Sequence, residues 1–179
     1  MKDLFTLLIG SALVNNVVLT KAGALTNCID ASNNKKILNT GIYTGITMLV
    51  SSIILWALQI YVLDKFSLSF LQTLVYVLVN ALVAYLLKVI LKKNCTEYIL
   101  TALNSAIIMV CLNNASNGYG FVEMLFATVG SCVGLTIAMY LYAGATAKIN
   151  DKHILKSFNG LPIQILAMAI VSLAIYAFK

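Results

Sequence analysis

Arginine is absent from this 179-residue chain, and only six residues are acidic. All twelve basic residues are therefore lysines, and the net charge is +6. No basic stripe with interleaved aromatics is present to neutralise phosphates, so nucleic-acid binding is not indicated. Charged residues of both signs make up 10% of the chain, against about 25% in a soluble domain. That scarcity excludes an ordinary soluble fold. The single histidine, His153, stands in a polar stretch beside Asp151 and is assigned no role. The four cysteines include no Cys-x-x-Cys pair, so neither a thioredoxin-like nor a zinc-ribbon site is supported. Paired carboxylates, a nucleophile elbow and a P-loop are also missing. The glycines do not follow the strand-to-helix pattern that cradles phosphate.

Long apolar runs take the place of charge. Hydrophobic residues form 61% of the sequence, and the mean hydropathy is +0.94. Six segments emerge, at about 4–25, 40–63, 70–91, 98–112, 121–142 and 161–178. A helix needs about 20 apolar residues to cross the hydrocarbon layer. Four segments are long enough, and 161–178 is marginal. The fourth is short and runs into Asn113, Asn114, Ser116 and Asn117. The first carries Asn15, Asn16 and Lys21 inside it. Polar, irregular backbone survives in lipid only where protein or a cavity covers it. The reading is an all-α integral membrane protein of six transmembrane helices in two inverted three-helix repeats. The first helix of each half is interrupted. The first run lacks a clean small-x-small cleavage site and is read as a retained span. The whole chain, 1–179, is read as one membrane domain, with repeat one at about 1–93 and repeat two at about 94–179.

Lysine placement sets the expected orientation. The stretches after spans one, three and five hold Lys35, Lys36, Lys92, Lys93, Lys148, Lys152 and Lys156. The other side holds Lys2, Lys65 and Lys179. The positive-inside rule places the first set in the cytoplasm and both termini outside. The longest polar connection runs over 150–159.

The halves share a pattern. Cys28 precedes Gly41, Gly45 and Thr47, and Cys111 precedes Gly130, Gly134 and Thr136. Each half thus carries one soft ligand near a broken helix, suggesting a site at mid-membrane between repeats. The bland reading of a buried cysteine is a small hydrophobe. The Gly-x-x-x-Gly pairs are read as helix-packing faces, with Cys132 as a packing residue between Gly130 and Gly134. Cys95, beside Lys93 and Asn94, is read as an exposed, reduced thiol. Asn15 and Asn16 are weighed between half-helix capping and hydrogen bonding across helices. Lys21 either snorkels to the interface or raises the positive potential near Cys28.

The residues resemble a known family. Leu68-Ser69-Phe70-Leu71-Gln72-Thr73-Leu74 looks like the opening of the third span of the Rnf A and Nqr E membrane subunits. Phe158-x-Gly160, Ile163, Ser172-Leu173-Ala174 and Phe178 are similar to the sixth span. Leu13-Val14-Asn15-Asn16, Val18-Leu19, Lys21, Cys28 and Lys35-Lys36 are similar to the first, and Val133-Gly134 to the fifth. The resemblance covers essentially the whole chain and identifies a divergent member of the Rnf/Nqr electron-transport family. It implies six spans in two inverted halves and a paralogous partner of opposite topology. It also implies a [2Fe–2S] cluster in the membrane plane to which each partner gives two cysteines. Electrons would cross the bilayer through that cluster, coupled to Na⁺ or H⁺ movement. Carried over residue by residue, the ligands are Cys28 and Cys111, with Asn15, Asn16 and Lys21 in support. A [2Fe–2S] cluster takes four ligands, so the partner or a second copy of the chain must supply two. Flavins and further iron–sulfur centres belong to other subunits, and the location implied is the bacterial inner membrane.

The surroundings of Cys111 depart from the family pattern, and Lys88 stands where the family carries an acidic residue. One rival reading makes the cysteines incidental: the substrate-binding membrane component of a vitamin-type uptake transporter. Another is a scaffold that has lost its cluster.

Overall fold

The computed structural model describes residues 2–14, 34–65, 69–91, 105–146 and 160–176. Among the described residues, six helical segments follow one another and no strand occurs. Helix α1 (Lys2–Ile9) passes into a π-helical stretch, Gly10–Val14. Helix α2 (Asn34–Leu58) ends in a second π-helical stretch, Gln59–Leu63. A 3₁₀ turn, Ser69–Leu71, opens α3 (Gln72–Leu91). The remaining helices are α4 (Ser105–Ser116), α5 (Phe121–Thr146) and α6 (Leu161–Tyr176).

Two described stretches are long and apolar enough to cross a membrane, Gly41–Leu63 with 23 residues and Phe121–Thr146 with 26. They are the second segment of each half, and their helices form the most extensive contact in the bundle. The helices run antiparallel. Gly41 faces Thr136 and Gly45 faces Cys132, while Ser52 meets Thr128 further on. A Cβ added to Gly41 would lie 2.9 Å from Thr136 Oγ1, and one on Gly45 would collide with Cys132 Sγ. On the far side of α5, a Cβ on Gly130 would collide with Ser11 Oγ and the Leu8 carbonyl of α1. The small-residue motifs are therefore close-packing faces, as expected of helices that associate by backbone approach.

Polar and apolar residues are placed as lipid requires. Thr44, Thr47, Ser51, Ser52, Asn80, Asn114, Thr128 and Ser131 are buried. Leu74, Leu78, Leu82, Leu86 and Leu173 are exposed. Between helices in a bilayer, lipid tails are as apolar as leucine, so hydrogen bonds and close packing hold the inside. A shared core joins α2, α3, α4, α5 and α6 through Met48, Tyr76, Ile107, Met139 and Met168.

Two boundaries differ from expectation. Helix α2 begins at Asn34, so Lys35 and Lys36 lie in its first turn and not in a loop. Lysine is a good helix former, and its long stem can carry the charge outward from a helical backbone. Helix α4 continues past Leu112 to Ser116, through the asparagines expected to end it. Asn114 stays helical because its side chain finds Thr128 Oγ1 at 3.1 Å. The break comes at Gly118, whose φ is +63°. There the Gly118 N–H donates to the Ala115 carbonyl and the Tyr119 N–H to that of Asn114. This is a Schellman cap, with glycine in the left-handed position.

Candidate functional site

Helix α5 starts two residues after that cap. The Gly120 N–H donates to Glu123 Oε2 at 3.0 Å, and the Met124 N–H donates to the Gly120 carbonyl. This is half of a capping box. The tight turn from α4 to α5 presents the Tyr119 carbonyl to Trp56 Nε1 at 3.2 Å. Trp56 also meets Phe121 edge to face, with ring centroids 5.1 Å apart. These contacts tie the end of α2 to the α4–α5 turn.

Between them lies a cavity of about 210 Å³, bordered by Ser52, Gln59, Asp64, Tyr76, Cys111 and Asn114 among others. The π-helical end of α2 shapes its rim. The Asp64 N–H donates to the Gln59 carbonyl, and Gln59 Nε2 donates to Asp64 Oδ1. Tyr76 OH, from α3, donates to Gln59 Oε1 at 3.0 Å. A π-helical turn at a functional site is a recurrent device for turning side chains inward. A second cavity of about 370 Å³ lies against α1, bordered by Ser11, Asn113, Ser131 and others. Asn114 and Tyr119 border both cavities.

Cys111 is buried at the inner wall of the first cavity. Its Sγ lies 3.4 Å from Ser52 Oγ. Ser52 is midway along the 23-residue stretch Gly41–Leu63, which puts the sulfur about 16 Å from either end at the helical rise per residue. Thr128 Oγ1 lies 3.3 Å from Ser52 Oγ, and Asn114 Nδ2 donates to Thr128 Oγ1. Three helices thus converge on one thiol through a chain of small polar side chains.

The expected ligands meet this geometry unequally. Cys111 is in place, a sulfur donor deep in the bundle with a hydroxyl beside it and space adjoining. Cys28, Asn15, Asn16 and Lys21 lie outside the described residues, as do Cys95 and His153. Among the described residues, no three His, Cys, Asp or Glu side chains gather to hold a metal. A thiol with that setting suits one ligand of a shared [2Fe–2S] cluster, and the other donors would come from Cys28 and a partner. Cys132 packs against Gly45, about two turns before Ser52 on α2, as expected for a packing residue.

Sequence reasoning missed Ser52, Thr128, Gln59 and Tyr76. A signal was available for the first two. Ser51-Ser52 and Thr128 are polar residues well inside apolar spans, where an uncompensated hydroxyl is costly.

Comparison with known proteins agrees with the resemblance. The family described as "Rnf-Nqr subunit, membrane protein" matches residues 4–179. A Syntrophotalea carbinolica protein, named as the A-type component of an ion-translocating oxidoreductase complex, is 30% identical, over 99% of this chain and 97% of its own length. The A-type component of the Na⁺-translocating ferredoxin:NAD⁺ oxidoreductase complex of Acetobacterium woodii is 29% identical, over 98% and 96%. Its counterpart from the proton-translocating complex of Clostridium ljungdahlii is 30% identical, over 100% and 97%. With a six-segment helical bundle that is polar inside and apolar outside, and a match along nearly its full length, the chain belongs to the Rnf-Nqr family of membrane subunits.

Proposed function

We propose that this chain is the A-type membrane component of an ion-translocating oxidoreductase complex in a bacterial inner membrane. It carries electrons across the bilayer through a [2Fe–2S] cluster shared with a paralogous six-span subunit or a second copy of itself. The observation that carries this reading is the placement of Cys111: a buried thiol about halfway through the membrane-spanning bundle, with a hydroxyl donor and a cavity beside it. The names of the relatives supply the complex.

Cys111 and Cys28 hold the cluster from this side. The cluster supplies one-electron transfer, and the chain supplies the environment. Asn15 and Asn16 cap or orient the broken first helix, and Lys21 adds positive potential near Cys28, which favours its thiolate. Helices α2 and α5 exclude lipid from the sulfur. Flavins and other iron–sulfur centres sit on other subunits of the complex.

We infer two inverted repeats from the small-residue pattern that the halves share in sequence. The shift that carries Gly41 to Gly130 also carries Thr47 to Thr136. Gly41 faces Thr136 across the antiparallel pair, whereas Gly130 faces Ser11 and Leu8 of α1.

The test is iron content and visible absorption of the complex, purified anaerobically in mild detergent with its partners. Cys28→Ala and Cys111→Ala preparations are compared with it. Iron and a bleachable [2Fe–2S] spectrum, lost in both variants, are expected. An iron-free, colourless complex with its partner intact would overturn the reading. None of the relatives named above is an uptake component, and no feature of the bundle favours that rival.

A further inference from the structure

Five hydroxyls in the two long helices turn back on their own backbone. Thr47, Thr128, Ser131, Thr136 and Thr146 each donate to a carbonyl one turn earlier. That is the usual resting place for a hydroxyl in an apolar helix. Ser51 reaches Asn80 Oδ1 instead, at 3.2 Å. Ser52 has neither arrangement. Its partners are Cys111 Sγ at 3.4 Å and Thr128 Oγ1 at 3.3 Å.

A hydroxyl has one proton and two lone pairs, and this limits what the chain of groups can do. The Thr128 proton is held by the Met124 carbonyl at 2.7 Å. Thr128 Oγ1 accepts from Asn114 Nδ2 and donates, in a weaker second branch, to Ser52 Oγ at 3.3 Å. The Ser52 proton therefore has one acceptor, Cys111 Sγ. When the sulfur is a thiol, its S–H can donate to Ser52 Oγ instead. When the sulfur is anionic it has no proton to give. Rotation of the Ser52 hydroxyl, with no heavy-atom movement, then points O–H at the sulfur.

We propose that Ser52 is a positioning residue: it donates to the Cys111 sulfur when that sulfur is anionic and raises the reduction potential of the centre it ligates. This rests on the ligand reading of Cys111 given above. The physical cause is direct. An added electron increases negative charge on the sulfur ligands, so an O–H dipole aimed at one of them stabilises the reduced form more than the oxidised form. Hydrogen bonds to the sulfurs are among the factors that set the potentials of such centres.

The test is a one-electron titration of the purified complex with dithionite as reductant, followed by electron paramagnetic resonance, with iron measured in each preparation. Ser52→Ala should keep its iron. At the wild-type midpoint, its reduced-to-oxidised ratio should fall about tenfold, or about 59 mV for a one-electron couple. Ser52→Thr keeps the hydroxyl and should stay within about threefold of wild type. An iron-loaded Ser52→Ala complex with an unchanged midpoint overturns the proposal. If Ser52→Ala does not assemble, Ser52→Gly decides: a downward shift of the midpoint supports the proposal, and no shift or an upward one overturns it. A wild-type complex without iron overturns the ligand reading instead. The Ser52–Cys111 bond is then judged in the iron-free chain from the Cys111 S–H stretch, isolated by difference against Cys111→Ala. Loss of the bond in Ser52→Ala should raise its frequency, and an unmoved band would show that Ser52 does not pair with this sulfur.

Discussion

A methyl group on Gly45 would enter the volume of the Cys132 sulfur of α5. Either that sulfur or the helices must shift, next to the tight Gly41–Thr136 contact. Gly45→Ala should therefore lower the thermal stability of the detergent-solubilised protein by the about 1–3 kcal/mol typical of overpacking. Adding Cys132→Ala removes the colliding sulfur and should restore most of the loss. A double variant no more stable than Gly45→Ala alone would mean that the helices do not meet at this pair. The packing role of Cys132 was legible in the sequence, since a cysteine between two glycines of a small-residue motif has little other use. Ser52 was not legible in the same way. A serine in an apolar span reads as one more small residue, and only the convergence of α2, α4 and α5 gives its hydroxyl a sulfur and a threonine as neighbours.

Helix ends show the same division between what local sequence dictates and what packing decides. The asparagine run after Leu112 looks like a loop because asparagine is a poor helix former. In the bundle, Asn114 is paired by Thr128 of α5, and the helix runs on until Gly118 ends it. The stop signal was present as Asn117-Gly118, but the nearer asparagines masked it. Likewise, the start of α2 at Asn34 lies ahead of the apolar run that marks it in the sequence. Gly118→Ala should cost about 1 kcal/mol, because a side chain is disfavoured at positive φ. It should also loosen the turn that presents the Tyr119 carbonyl to Trp56. Trp56 is the only tryptophan in the chain, so its emission reports on this contact without interference. A red shift is expected as the indole N–H exchanges a fixed carbonyl for water in the adjoining cavity. An unchanged spectrum in a folded Gly118→Ala protein would show that the cap does not hold the turn.

At the scale of the whole molecule, the arrangement is inside out relative to a soluble protein, with serine, threonine and asparagine buried and leucine exposed. That inversion was legible from composition, because a chain with so few charges cannot cover itself in polar surface. Orientation is a separate matter, since packing is the same whichever way the bundle faces. Lysine is what distinguishes the two sides, by the bias against moving basic segments across the membrane. The turn at Asp64 and the turn at Gly118 both border the cavity beside Cys111. If both termini lie outside, both turns fall on the outer side and the cavity would open outward. Reporter fusions active only in the cytoplasm should therefore be silent after Lys179 and active within 150–159. Cysteines introduced at Asp64 and Asn117 should react with a membrane-impermeant maleimide added to intact cells from which any outer membrane barrier has been removed. The reverse pattern would turn the bundle over and place the opening of the cavity in the cytoplasm. The path from Asp64 past Gln59 and Tyr76 to Cys111 would then approach the sulfur from the cytoplasmic side.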